Sequence, residues 1–189
     1  GRFFGEGLRN LPFLQTLSLS RNNLSGPISI GHVSRELRRL DLSHNMFSGP
    51  LPSISAFTRL KSLDLSDNLL TGTISPQLFG APREDSNGGT TSMPALHYLS
   101  FAGNSLDGPI PHTIALCSNL RLLNLSSNLL TDMVPPALEA LSELAVLDLS
   151  YNFLSGSLPP LNMPSLVTVS LQSNRFSGPI PSRIFSDSS

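Results

Sequence analysis

One asparagine recurs along the chain at an almost constant spacing. The spacings between its seven copies are 23, 23, 36, 24, 24 and 22 residues, so five of the six agree closely. A fixed period of this length is the signature of a solenoid, in which similar coils stack and each contacts only its neighbours. The seven copies are Asn22, Asn45, Asn68, Asn104, Asn128, Asn152 and Asn174.

Each asparagine belongs to the pattern L-x-x-L-x-L-x-x-N-x-L-x-G-x-I-P, for example LRRLDLSHNMFSGPLP from Leu37 to Pro52. Side chains alternate across a strand, so the pattern Leu-x-Leu predicts a short strand with both leucines facing a shared interior. The asparagine follows where the chain must turn, and its amide can satisfy backbone groups left open there. The seven asparagines are therefore predicted to form a structural ladder.

The repeated pattern resembles the leucine-rich repeat family over nearly the whole chain. Its tail N-x-L-x-G-x-I-P, as in NSLDGPIP, resembles the plant-specific subclass found in receptor-like kinases, receptor-like proteins and polygalacturonase inhibitors. The resemblance implies an α/β solenoid. In this superhelix a parallel β-sheet forms the concave face and short 3₁₀ turns form the convex face.

The domain organisation predicted is a single array over residues 1–189, with about seven full repeats. Arrays need caps because terminal coils would expose apolar faces, and caps in extracellular family members usually carry paired cysteines. This chain has a single cysteine, Cys117. We therefore expect an array without caps that is truncated at both ends.

The 36-residue spacing indicates an insertion within the third repeat, over residues 76–94. Its centre, PREDSNGGTT, has no apolar periodicity and predicts a loop. One interpretation is a tolerated surface insertion, since extra loop length costs little. The other is an island loop that helps to hold a ligand, as long loops often carry function. Its charged candidates are Arg83, Glu84 and Asp85.

The positions between the strand leucines should face solvent on the concave side. Asp41 and Asp64 should be adjacent there, which raises the alternative of acid–base chemistry or a cation site. The sequence favours a hydrated hydrogen-bond ladder, because LDLS is the ordinary strand of this family. Residues that break the small polar pattern are better ligand-binding candidates. They are Tyr98, Leu122, Val146 and Tyr151, with Arg39 and His44 as polar outliers.

Charge and motif content weigh against several other functions. The formal net charge is −1, whereas a domain that binds nucleic acid usually has a basic excess. The four histidines lack paired metal-ligand spacing, and no glycine-rich phosphate loop is present, so neither metal nor cofactor is expected. Cys117 occupies a position that is apolar in the other repeats and should fill the core.

Two N-glycosylation sequons occur, at Asn23 and Asn124. Asn23 should lie beside a turn and would be accessible in a secreted protein. Asn124 should lie on the concave face, where a glycan would block a ligand.

These features favour a protein that binds a ligand or another protein and catalyses no reaction. The resemblance implies part of the extracellular domain of a plant cell-surface receptor, binding a peptide, steroid or cell-wall-derived ligand, a leucine-rich repeat co-receptor, or both. One alternative is a secreted polygalacturonase inhibitor, against which the insertion weighs. Another is an ice-binding repeat protein, which would need a flatter and more regular face.

Overall fold

A computed structural model describes residue 8, residues 10–80, residue 93 and residues 95–181. Parallel strands and short turns build these residues into a solenoid. Its strands are β1 (Thr16–Ser18), β2 (Ser25–Gly26), β3 (Arg39–Asp41), β4 (Met46–Gly49), β5 (Ser62–Asp64), β6 (Leu69–Thr73), β7 (Tyr98–Ser100), β8 (Ser105–Pro109), β9 (Leu122–Asn124), β10 (Leu129–Thr131), β11 (Val146–Asp148), β12 (Ser155–Gly156), β13 (Thr168–Ser170) and β14 (Arg175–Phe176).

A seven-stranded parallel sheet takes one strand from each coil, in the order β1-β3-β5-β7-β9-β11-β13. Every strand has three residues, and the strands pair without stagger, so equivalent positions form straight columns across the sheet. The middle residue of each strand points inward, because side chains alternate along a strand. The first and third residues form the opposite face, which carries the candidate site.

A second set of strands follows each ladder asparagine, and the sequence pattern did not predict it. These strands form a five-stranded sheet, β10-β8-β6-β4-β2, and the pair β12-β14. Neighbouring strands are staggered by two residues; for example, Ser48 pairs with Leu69 and Asp107 with Leu129. Stacked coils place any extended segment beside its own copy, so the L-x-G segment pairs although the period alone indicated a turn.

Short 3₁₀ helices close the backs of three coils, at Pro76–Phe79, His112–Leu116 and Pro136–Ala140. Proline precedes or begins each of them, where its fixed φ suits a helix start and its missing N–H costs nothing. In the other described coils the back consists of turns and extended segments. The predicted 3₁₀ turns are therefore present in the third, fourth and fifth coils.

The leucines of successive coils form one continuous apolar spine. Leu40, Leu99, Leu123 and Leu147 are fully buried, as are the large side chains of the core phenylalanines. Cys117 is buried among them, and burial raises the pKa of its thiol to about 12. The first and seventh coils pack against this spine with partly buried side chains. These partly buried side chains include Leu17, Leu19, Val169 and Leu171.

Candidate ligand-binding face of the seven-stranded sheet

The asparagine ladder closes the edge at which the seven strands end, here named the strand-end edge. In the fifth coil, Asn128 Nδ2 donates to the carbonyls of Leu125 at 3.2 Å and Ser126 at 3.1 Å, and to Phe101 in the preceding coil at 2.9 Å. Its Oδ1 accepts the backbone N–H of Leu106 at 3.0 Å. One amide thus satisfies four backbone groups and joins two coils. The same set recurs at Asn45, Asn68, Asn104, Asn152 and Asn174.

The residue before each ladder asparagine has a left-handed backbone. In this column φ lies between 52° and 63°, and six of the seven residues are not glycine. A left-handed conformation at a residue other than glycine costs free energy, which the hydrogen bonds of the asparagine ladder must offset. This column contains two of the predicted binding residues, His44 and Tyr151. Its members are Arg21, His44, Asp67, Gly103, Ser127, Tyr151 and Ser173.

The third strand residues form a polar column that is tied to its own strand. Asp41 Oδ1 accepts the Ser43 hydroxyl at 2.7 Å and the Ser43 N–H at 3.2 Å, and Asp64 is bonded likewise by Ser66. Burial raises the pKa of Asp41, but hydrogen bonds from Ser43 and from two further serines outweigh burial and lower it below the usual value. Asp41 and Asp64 are neighbours in register. Their hydrogen bonds from Ser43 and Ser66 hold the backbone just beyond the end of each strand.

The first strand residues bring three of the predicted ligand residues together. Tyr98, Leu122 and Val146 pair directly across β7, β9 and β11. All three are half-buried rather than fully exposed, because strands about 4.8 Å apart shield one another's side chains. The Tyr98 hydroxyl donates to Asp64 Oδ2 at 3.1 Å. Burial raises the pKa of Tyr98, and the Asp64 carboxylate adds to this effect.

The other three predicted residues do not join that cluster. Arg39 heads β3, with Ser62 between it and Tyr98, and its Nη2 lies 3.8 Å from Asp41 Oδ2. His44 Nδ1 lies 3.3 Å from Asp67 Oδ2 at the strand-end edge. Tyr151 is also at that edge, four coils from His44, with 58% of its surface exposed. The six candidates therefore occupy two columns rather than one patch.

Sequence reasoning missed the column immediately before the strands, here named the strand-start edge. From Arg38 onward, each backbone N–H in this column donates to the carbonyl of the equivalent residue in the preceding coil, at 2.7 to 2.9 Å. Four successive members are basic or histidine, a signal that lies in the sequence at the position seven residues before each asparagine. The strand-start edge consists of Gln15, Arg38, Lys61, His97, Arg121, Ala145 and Val167.

Of the two sequons, Asn23 is exposed, whereas Asn124 is half-buried within β9. The Asn124 Oδ1 accepts the hydroxyl of Ser126 at 2.7 Å and its N–H at 3.0 Å. The island-loop candidates Arg83, Glu84 and Asp85 lie outside the described residues.

Two further properties bear on the kind of site present. Within the described ranges, no cluster of three or more His, Cys, Asp or Glu side chains is arranged to hold a metal ion. No helix among the same residues combines the length and apolar character needed to span a bilayer.

The profile of the family described as Leucine Rich Repeat matches six segments, residues 13–32, 36–57, 59–81, 95–117, 119–141 and 143–162. The chain belongs to the leucine-rich repeat family. Among curated proteins, none matches the sequence significantly.

Solved plant proteins share the fold. The ectodomain of the Arabidopsis receptor kinase HAESA, in complex with an extended IDA peptide hormone, is 31% identical with a TM-score of 0.84, covering 97% of this chain and 29% of that one. The plant peptide hormone receptor RGFR1, in complex with RGF2, is 30% identical with a TM-score of 0.80, covering 93% and 31%. A plant ice-binding protein is 28% identical with a TM-score of 0.73, covering 97% and 56%. The chain thus spans about a third of these receptor ectodomains.

Proposed function

We propose that this chain is a non-catalytic ligand-recognition segment of a plant cell-surface leucine-rich repeat receptor, and that it lies outside the cell. The ligand class we favour is a peptide, because HAESA and RGFR1 are complexed with peptide hormones. A steroid, a cell-wall fragment or a co-receptor of the same fold are the other partners that the sequence resemblance implies.

The observation that carries the proposal is the in-register strip of Tyr98, Leu122 and Val146 on an otherwise polar face. Aromatic and aliphatic side chains on a rigid sheet offer contact area without a large loss of conformational entropy. Each residue of the strip is followed in the chain by a fully buried leucine, which anchors its strand on the core. These leucines are Leu99, Leu123 and Leu147. A ligand bound here would meet a surface that is already ordered.

Selection from a library of random decapeptides tests the proposal. The bait is the full chain, and the strip variant carries Tyr98→Ser, Leu122→Ser and Val146→Ser. The matched control carries Leu69→Ser and Leu129→Ser in the five-stranded sheet, and Met133→Ser two residues after β10, three exposed apolar residues. Circular dichroism verifies that both variants are folded.

The expected result is a set of peptides enriched on the native chain and on the control, and lost on the strip variant. Retention by the strip variant, or no enrichment at all, would contradict the proposal. A glycan found on Asn124 by mass spectrometry of the protein secreted from plant cells would also contradict it, because that glycan would cover the strip.

Likeness to the plant ice-binding protein favours ice binding as the second candidate. Ice binding requires a flat and repetitive face. The seven-stranded sheet meets this requirement poorly, because the first strand residues of neighbouring coils change from arginine to serine to tyrosine. Thermal hysteresis in a solution of the full chain would favour that candidate over ligand recognition.

A further inference from the structure

We propose that the ligand is an extended peptide with an acidic half and an apolar half, lying along the strand-start edge across the second to seventh coils. This inference rests on the proposed function and specifies its ligand. The observation behind it is that the side chains of the strand-start edge change from basic or histidine in the second to fifth coils to apolar in the sixth and seventh coils.

The acidic half of the ligand would face coils two to five. Arg38, Lys61, His97 and Arg121 follow one another there, each bonded through its backbone to the member before it. Adjacent coils lie about 4.8 Å apart, so the four side chains form a row about 14 Å long. A column in register presents these groups on the same side of the molecule.

Two of the basic residues in this row lack an ionic partner within the described part of the chain. Among the described residues, Arg38 and Lys61 form no ion pair, and both are exposed. Arg121 Nη2 lies 3.8 Å from Glu143 Oε2, with 65% of its side chain exposed. Six of the twelve lysines and arginines belong to this edge or lie within three residues of it along the chain, although the chain has a net charge of −1. They are Arg35, Arg38, Arg39, Arg59, Lys61 and Arg121.

The neighbouring acids offset only part of this charge, because they pair with Arg39, Arg59 and Arg121. Glu36 pairs with Arg59, and Asp41 lies near Arg39 while accepting hydrogen bonds from Ser43. The His97 ring is held by its Nδ1, which donates to the Ala95 carbonyl at 2.5 Å. A carboxylate-rich partner is therefore the electrostatic complement of coils two to five.

The apolar half of the ligand would face coils six and seven. The strand-start edge continues there as Ala145 and Val167, and 83% of the Val167 surface is exposed. Val146 stands beside them at the head of β11 and continues the Tyr98–Leu122 strip. An exposed valine at the end of an apolar strip has no role in the core and suits contact with a hydrophobic side chain.

The dimensions set the length of the ligand. Five steps from the second to the seventh coil span about 24 Å, and an extended chain advances about 3.3 Å per residue. Seven or eight residues would therefore cover the column. A uniformly anionic polysaccharide matches only the basic half and leaves Val146 and Val167 without a partner, so the column favours a peptide.

Fluorescence anisotropy with defined peptides tests the inference on the full chain. The probe is a labelled octapeptide with four Asp or Glu residues followed by Leu, Val, Leu and Phe, titrated to millimolar protein. The control peptide has the same composition with acidic and apolar residues alternating, so that its charges are spread along its whole length instead of being confined to one half. An oligogalacturonate provides an anionic polysaccharide for comparison.

We expect the segregated peptide to bind at least tenfold more tightly than the alternating one, and to weaken as salt screens the charges. Arg38→Glu with Lys61→Glu should weaken binding at least tenfold, as should Val167→Asp. The matched control, Arg21→Glu with Arg175→Glu, makes the same charge change away from the strand-start edge and should leave binding within twofold.

Equal affinity for the two peptides, or binding that tolerates Arg38→Glu with Lys61→Glu, would overturn the inference. So would oligogalacturonate binding that depends on Arg38 and Lys61 without peptide binding. If library peptides require Tyr98, Leu122 and Val146 but show no preference for an acidic half, the inference fails and the proposed function stands. If no peptide requires the strip, both fail.

Discussion

At the strand-end edge of the seven-stranded sheet, the second to seventh coils repeat one asparagine and one set of hydrogen bonds. At the strand-start edge, no two neighbouring coils carry the same side chain. Both edges belong to the same strands, only a few residues apart. The difference shows that the same side chain recurs where it must satisfy the backbone groups of a neighbouring coil. Side chains vary from coil to coil where the backbone groups already bond to one another.

The largest effect we expect concerns Cys117, whose buried thiol reports on the integrity of the spine. Burial raises the pKa of this thiol from its ordinary value of 9 to about 12, which leaves about a thousandfold less thiolate at pH 8. Alkylation by iodoacetamide at pH 8 should therefore be at least a thousandfold slower in the native chain than in urea. Fast native alkylation would show that Cys117 is not in a closed core.

The asparagine ladder should dominate stability. Asn128→Ala removes four hydrogen bonds and leaves the N–H of Leu106 without its acceptor, while the three carbonyls each keep another donor. We therefore expect a loss of about 3 kcal/mol in the free energy of unfolding. Among the described residues, Asn22 in the exposed first coil donates to the carbonyls of Leu19 and Ser20 alone. Asn22→Ala should cost less than about 1 kcal/mol. Urea denaturation measures both, and equal losses would refute the ladder's role between coils.

Charge reversal at the strand-start edge gives the contrasting result. Arg38→Glu with Lys61→Glu should change the free energy of unfolding by less than about 0.5 kcal/mol, because exposed side chains without ion pairs contribute little. The same variant should keep Cys117 protected from iodoacetamide, whereas Asn128→Ala should accelerate its alkylation. A charge reversal as damaging as the asparagine variant would abolish the distinction between the two edges.

The serine bonds to Asp41 should give a small, pH-dependent effect. The pKa of Asp41 is lowered in the folded chain, so its contribution is present above the unfolded value and is lost as pH falls through the folded value. Ser43→Ala should destabilise by about 0.5 kcal/mol at pH 7, discounted for solvent screening, and the difference should shrink as the pH falls through the lowered folded pKa of Asp41. In an Asp41→Asn background this pH dependence should be absent from urea denaturation curves.

The smallest expected change is a gain in stability. Asp132 occupies the glycine position of its repeat and adopts a φ of 65°. Asp132→Gly should relieve that conformation and stabilise by up to about 0.5 kcal/mol, after the entropy of the unfolded glycine is counted. Asp107→Gly, within β8, is the matched control and should destabilise. A lower melting temperature for Asp132→Gly would show that the left-handed backbone at Asp132 is not strained.

The fold was predictable because its determinants are periodic. Leu40, Leu63 and Leu99 recur at intervals that specify a shared interior, and Asn45 and Asn68 mark each turn. The second sheet was not predicted, because a two- to five-residue segment after the asparagine carries no strand pattern of its own and pairs only once coils stack. The left-handed backbone at His44 and Tyr151 was also invisible, since neither is a residue type that requires it.

The candidate site was only partly predictable. Tyr98, Leu122 and Val146 stand out as exceptions to a polar column, and stacking brings them together in register. His44 and Tyr151 are exceptions in a different column, and sequence alone does not give the distance between columns. Arg38 and Lys61 were missed because a basic residue beside a strand is unremarkable until its neighbours in the next coils are aligned with it.

The most direct test of the two edges is a methyl NMR titration of the full chain with the segregated octapeptide. The account predicts that resonances of Leu122, Val146 and Val167 shift, while those of Leu69 and Leu129, exposed on the five-stranded sheet, stay in place. Shifts confined to Leu69 and Leu129 would contradict it, because ligand contact would then lie away from the strand-start edge.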